Sequence, residues 1–267
     1  MSRISTDSSS PEAVTTANVA RRLETQGWAK LPPEHTQPDL QSFATTLDAL
    51  RARFGHPPLH RKGPEWLAEN VEVAGPGLAF YGLLGFAPEL ASRLFTPSLV
   101  AALRAILGDD MHLELVGAVL SDEGRRFTEW ETHLGGVDDE RWRREGRRPV
   151  KSRVERVVAF LFLEALTEET GPWRVLPRAV GEPVEPPRSI HEPEWPGAVS
   201  ITCEAGCVLL LDESTWHSVT PRRVPGVRRF IGAYFAVADV EPTVGRDPSL
   251  EALGGVGGPL EGLARRD

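Results

Sequence analysis

Two histidines stand out for what surrounds them. His133 lies in "TEWETHLGGVDDERW", residues 128–142, and His217 in "DESTWHSVTPRRVPGVRRF". Imidazole is the commonest transition-metal ligand, and two imidazoles with one carboxylate form the donor face of many non-haem iron centres. Such a motif would be expected to carry an acid just after its first histidine. Here Gly135 stands two places on, and glycine has no side chain to offer. Arg228 lies beyond His217 at the start of a Phe/Ile-rich run, and its planar, permanently charged fork suits a carboxylate. Arg229 is adjacent, but strand alternation turns it to the opposite face. The plainer reading has both arginines capping a solvent-facing strand end. The other five histidines, at 35, 56, 60, 112 and 191, need no more than a surface or satisfied core role.

The elements that must position these residues follow from the pattern. At 267 residues the chain suits one large domain or two small ones. With 40% hydrophobic and 25% charged residues it reads as globular, and a net charge of -8 argues against binding a nucleic-acid polymer. Cys203 and Cys207 are the only cysteines, spaced too poorly for a disulfide framework or zinc site. The start is not signal-like and no apolar run suits a membrane span, so a cytoplasmic protein is expected.

Residues 1–17 are Ser/Thr-rich and read as an unfolded tail. Leu40, Phe43, Leu47, Leu50 and Phe54 recur at helical spacing over Pro38–Phe54, and a second helix is expected over Pro88–Leu107. The stretch 18–109 is therefore read as helical. From residue 110 to 240 the period changes. "HLELVGAVL", "ERVVAFLFLEAL", "GAVSITCE", "GCVLLLD" and "RRFIGAYFAVA" are short strand-like runs separated by turn residues. The sequence predicts a mainly β domain over 18–240 with helices packed outside, then an irregular tail over 241–267.

Two further segments resemble a known family. "GPWRVLPRAVG", Gly171–Gly181, is similar to the Gly-Pro-Leu-Arg-Val stretch of phytanoyl-CoA dioxygenase-like enzymes, and Gly206–Phe235 resembles their distal-histidine segment. The likeness runs over roughly residues 110–240 in the family's motif order. It implies a double-stranded β-helix, or jelly roll, using iron(II), 2-oxoglutarate and O2. It makes His133 and His217 the iron ligands and gives Arg228, eleven positions past His217 (228 − 217), the far carboxylate of 2-oxoglutarate. Thr220 and Ser218 become candidate hydrogen-bond donors to 2-oxoglutarate, and Arg174 a candidate to orient it or the substrate. Glu131 and Thr132 become candidates to orient the His133 ring. The family's order is His-x-Asp, and His133-Leu134-Gly135 departs from it. That departure resembles the halogenases of the superfamily, in which chloride takes the position the acid vacates. The resemblance thus implies chlorination of an unactivated C–H bond in specialised metabolism, with Gly135 as the halide position. Asp138 or Asp139 swinging in would instead make a hydroxylase, and loss of catalysis would leave a jelly-roll binding protein.

The substrate signal is a charge block. Between Arg141 and Arg156 there are eight basic residues against two acids, a local excess of six (8 − 2). Arg143, Arg144, Arg147 and Arg148 at its centre suit an anionic small molecule, and a nucleotide is preferred to a group on a carrier protein. A solvated surface helix explains the block equally well.

Overall fold

The computed structural model describes residues 16–133, 150–240, 247–255 and 263. Helix α1 (Thr16–Gln26) begins inside the stretch expected to be unfolded and buries Val19 and Leu23. Strand β1 (Trp28–Leu31) follows, then α2 (Gln37–Arg53). Thr36 starts α2 by a capping box: its hydroxyl accepts from the Asp39 N–H while Asp39 bonds back to the Thr36 backbone. Leu40, Phe43, Leu47 and Leu50 are the buried stripe that the spacing predicted.

The stretch read as helical corrects the expectation in two ways. Four short strands lie within it: β1, then β2 (Glu65–Ala68), β3 (Val71–Val73) and β4 (Leu78–Phe80). The single helix expected over Pro88–Leu107 is broken. After α3 (Leu83–Phe86), a 3-10 turn at Pro88–Leu90 leads into α4 (Ala91–Leu94), and α5 (Pro97–Leu107) starts afresh. The cause is Thr96-Pro97. A residue before proline is pushed out of the helical region, and extended Thr96 serves as the N-cap of α5.

Eight strands complete the domain: β5 (His112–Ser121), β6 (Thr128–Glu131), β7 (Arg156–Phe162), β8 (Trp173–Val175), β9 (Val199–Ile201), β10 (Val208–Asp212), β11 (His217–Val219) and β12 (Arg228–Ala236). The large sheet runs β1-β10-β7-β12-β5-β4-β3-β2 and the small one β6-β11-β8-β9, with every pair antiparallel. A turn of 3-10 helix at Pro248–Gly255 lies within the tail expected to be irregular.

The apolar runs have a physical explanation in this layering. Val157, Ala159 and Leu161 of β7 join Ile231, Ala233 and Phe235 of β12 in the core that also holds the α2 and α5 side chains. Their neighbours Val158, Phe160 and Phe162 face the other way and join Trp173, Val175 and Val219 of the small sheet. The central strands are covered on both faces, so they read as continuous apolar runs rather than alternating ones. Among the described residues, no single helix is long and apolar enough to cross a membrane.

Candidate metal centre

Strands β6 and β11 pair with His217 directly opposite Glu131. Side chains at opposed positions emerge side by side on one face. His133 follows Glu131 by two residues, so alternation carries it to that same face. Trp130, in the opposite phase, faces away from them and stacks on Trp195 with ring centroids 4.4 Å apart. The His133 N–H donates to the Glu213 carbonyl at 2.7 Å, which anchors the chain just beyond β6.

Ligand atoms of Glu131, His133 and His217 lie within 4.8 Å of one another. The two imidazole centroids are 5.0 Å apart, and Nε2 of His217 is 3.5 Å from Oε1 of Glu131. Trp173 stacks on the His217 ring at 5.6 Å and 5°, while Tyr234 packs edge-on against His133 at 5.8 Å.

The proton positions decide what this cluster can hold. Nδ1 of His217 lies 3.1 Å from the Thr215 carbonyl, which can only accept. In the neutral ring Nδ1 therefore carries the proton, and Nε2 presents a lone pair. Nε2 is buried and has no hydrogen-bond partner. Burial, and then the neighbouring His217, push the His133 imidazole down to about 4, so its ring is neutral at ordinary pH. Two neutral imidazoles beside a carboxylate form a donor set suited to a divalent transition metal. The residues fit an iron(II) ion.

Arg228 lies on the inner face of β12, alternating with Ile231 and Phe235, which face the helices. It is 2% exposed, and its terminal nitrogen donates to the carbonyls of Thr170 and of Gly171, the latter at 2.6 Å. Its Nε is buried with no partner. Burial, with Arg125 and Arg222 nearby, pushes the guanidinium down to about 9. Arg125 is likewise buried and pushed down to about 10 by burial. Glu164, the acid whose charge reaches this group, is bonded to Arg229. The local excess of positive charge suits a bound carboxylate.

Gly171 makes this arrangement possible. Its φ is +83°, and a Cβ there would meet Arg228 Nη2 at 2.4 Å and the Thr220 carbonyl oxygen at 2.6 Å. Gly171→Ala is expected to cost about 1–3 kcal/mol in backbone strain and to displace the Arg228 fork. Denaturant unfolding and a 2-oxoglutarate titration check both effects; unchanged values would remove Gly171 from the site.

The remaining expected residues are placed as follows. Arg229 turns outward, as alternation predicted, and pairs with Glu164 and with Asp48 of α2 at 2.9 Å. Arg174 is not brought to the cluster. Its strand neighbours Trp173 and Val175 point inward, so Arg174 points out, bonded to the Pro193 carbonyl at 2.6 Å and to Glu194 at 2.7 Å. Thr220 donates its hydroxyl to the Pro172 carbonyl at 2.8 Å. Ser218 and Thr132 are buried with hydroxyls that have no partner. Gly135, Asp138, Asp139, Arg143, Arg144, Arg147 and Arg148 lie outside the described residues. Three cations at the end of the basic block are each paired with an acid: Lys151 with Glu155, Arg153 with Asp239 at 2.6 Å, and Arg156 with Glu114 at 3.3 Å.

Sequence reasoning missed two groups and undervalued a third. Arg125 and Glu213 carry no local motif. Glu213 lines a small cavity with His133 and Arg156, and both of its carboxyl oxygens are buried without a partner. Burial above all, then Glu114, raises its carboxyl well above the usual range. Glu131 did carry a signal: Glu-x-His has the period of a strand face.

Comparison with solved structures places the architecture. The chain is similar to HygX from Streptomyces hygroscopicus, determined with nickel and 2-oxoglutarate bound, at TM-score 0.63 and 15% identity over 86% of this chain and 90% of that one. It is similar to SnoK, a non-heme alpha ketoglutarate dependent carbocyclase from nogalamycin biosynthesis, at TM-score 0.62 and 16% identity over 89% and 92%. The fold is theirs. AviO1 from Streptomyces viridochromogenes Tue57 is a third relative, with TM-score 0.60 and 16% identity over 86% and 99%. At these identities the likeness is one of fold. No family model matches the chain, and no curated protein matches it. The expected jelly roll with helices on its outer face is thus the observed one.

Proposed function

We propose that the protein is an iron(II)- and 2-oxoglutarate-dependent oxidoreductase acting on a C–H bond of a small molecule. One observation carries the reading. Two histidines on one jelly-roll face lie with ring centroids 5.0 Å apart, and His217 aims a buried, unpartnered Nε2 toward Glu131. The solved structures similar in fold support it, because HygX binds nickel and 2-oxoglutarate and SnoK depends on α-ketoglutarate.

Bound iron would couple the oxidation of 2-oxoglutarate by O2, to succinate and carbon dioxide, to oxidation of the substrate. The chain's own residues set the conditions. The Thr215 carbonyl holds the His217 tautomer, and His133 stays neutral through burial. Arg228 anchors the far carboxylate of 2-oxoglutarate, with Arg125 adding positive charge close by. Phe160, Trp173, Phe230 and Tyr234 wall the interior against water around the histidines.

Two outcomes follow from the third coordination position. Oxygen transfer is the first reading, because Glu131 is in reach of both histidines. Chlorination is the second, favoured by Gly135 in the place where the family carries its acid. The substrate is proposed to be anionic and nucleotide-like, on the basic residues Arg143, Arg144, Arg147 and Arg148. Anaerobic addition of iron(II) and 2-oxoglutarate is expected to produce a visible metal-to-ligand charge-transfer band that neither component gives alone. Its absence at saturating concentrations would remove the proposal.

A further inference from the structure

We infer that Glu131 is itself the third protein ligand of the metal, so that the acid precedes its histidine in the motif instead of following it. The inference rests on the metal-centre reading above and goes beyond it. With Glu131-x-His133 on β6 and His217 on β11, the two-histidine, one-carboxylate face is complete, and Gly135 leaves no coordination position for a halide.

Three independent features lead there. The register places Glu131 opposite His217, and alternation places His133 beside it, so the three donors share one face without any loop excursion. The second feature is the proton on His217. A Glu131 serving only to orient that ring would be hydrogen-bonded to it, yet the ring is held through Nδ1 at the Thr215 carbonyl, and Nε2, 3.5 Å from the carboxylate, has no hydrogen-bond partner. A cation bound by both atoms, 3.5 Å apart, would satisfy the carboxylate and the unpartnered nitrogen together. The third is access. The Glu131 side chain is 39% exposed while His217 is 1% exposed, so the carboxylate lies at the open rim of an otherwise enclosed donor set. Glu131, His133 and His217 would hold the metal from one side, and the metal would supply the site at which 2-oxoglutarate and O2 react. A complete donor set argues against chlorination at this site and leaves oxidation of a C–H bond as the class of reaction assigned to it.

The test uses full-length protein loaded anaerobically with cobalt(II) and saturating 2-oxoglutarate, read by its visible ligand-field spectrum, with metal affinity measured by titration. Glu131→Gln keeps the size and removes the charge, Glu131→Ala opens the position, and circular dichroism verifies that each variant is folded. Wild-type protein should show no spectral change on titration with sodium chloride. Glu131→Ala should bind cobalt(II) more weakly and acquire a saturable chloride-dependent change. Glu131→Gln should lose affinity by more than the roughly 10–100-fold that loss of a supporting hydrogen bond costs. A chloride-dependent change in wild-type protein, or full cobalt(II) affinity in Glu131→Gln, overturns the inference. If His217→Ala also binds cobalt(II) normally, the metal-centre reading falls with it. If His217→Ala loses the metal while Glu131→Gln keeps it, the inference alone falls.

Discussion

His217→Ala is expected to abolish specific iron(II) binding and all iron-dependent consumption of 2-oxoglutarate. The side chain is 1% exposed and supplies the donor atom that the rest of the site is built around. Its tautomer is held by Thr215, its ring plane by Trp173 at 5.6 Å, and its strand position by pairing with both β6 and β8. Alanine removes the donor and leaves those supports in place, so the loss falls on metal affinity ahead of folding. The fall should exceed the roughly 10–100-fold typical of a lost outer partner. His133→Ala should behave similarly. His35→Ala should not, because His35 packs against Phe43 and bonds to the Arg93 carbonyl. Equilibrium metal titration of the three variants distinguishes these outcomes, and equal affinity in all three would contradict the assignment.

Arg228→Ala is expected to weaken 2-oxoglutarate binding by at least a hundredfold while leaving the metal in place. Removing one partner of a buried charge pair costs about 3–5 kcal/mol, which is on the order of 10²–10³-fold or more in affinity. The guanidinium is 2% exposed and lies beside Arg125 and Arg222, so the ligand's carboxylate would offset unfavourable local charge as well as bond to the fork. Arg228→Lys should recover little, because a point charge cannot reproduce a planar fork held by two backbone carbonyls. Arg229→Ala should leave affinity for 2-oxoglutarate unchanged, since its partners Asp48 and Glu164 lie on the helical side of the sheet. Calorimetric titration under anaerobic conditions measures all three. An unchanged affinity in Arg228→Ala would move the carboxylate site elsewhere, with Arg125 the next candidate.

The long strands were legible because the protein covers both faces of its large sheet. β7, β10 and β12 each bury residues in two cores, and that produces apolar runs that no helix period explains. The short strands were not. β2, β3 and β4 are three or four residues each, set among glycine and proline, and their identity depends on pairing outward from β5. The break at Thr96-Pro97 was legible in principle, since both the cap and the proline are local, but the leucine spacing on either side masked it.

At the site, His133, His217 and Arg228 were recognisable from their contexts, and the inward turn of Arg228 followed from alternation alone. Glu131 was visible only as a partner that might orient a ring. Its position opposite His217 is a property of the β6–β11 register, which joins residues 86 apart (217 − 131) and leaves no mark in either segment. Attention to Gly135, after the histidine, hid the carboxylate before it. Arg174 failed for the converse reason. The strand is only three residues long, and the phase that sends Trp173 inward sends Arg174 out.

The central claim is that Glu131, His133 and His217 hold one metal ion. A crystal structure with cobalt(II) and 2-oxoglutarate, grown anaerobically in the presence of chloride and phased at the cobalt edge, tests it most directly. One anomalous peak is expected, bonded to Nε2 of His217, an imidazole nitrogen of His133 and a carboxylate oxygen of Glu131, with the far carboxylate of 2-oxoglutarate on Arg228. A peak remote from these side chains, or a chloride ion in place of the Glu131 oxygen, would contradict it.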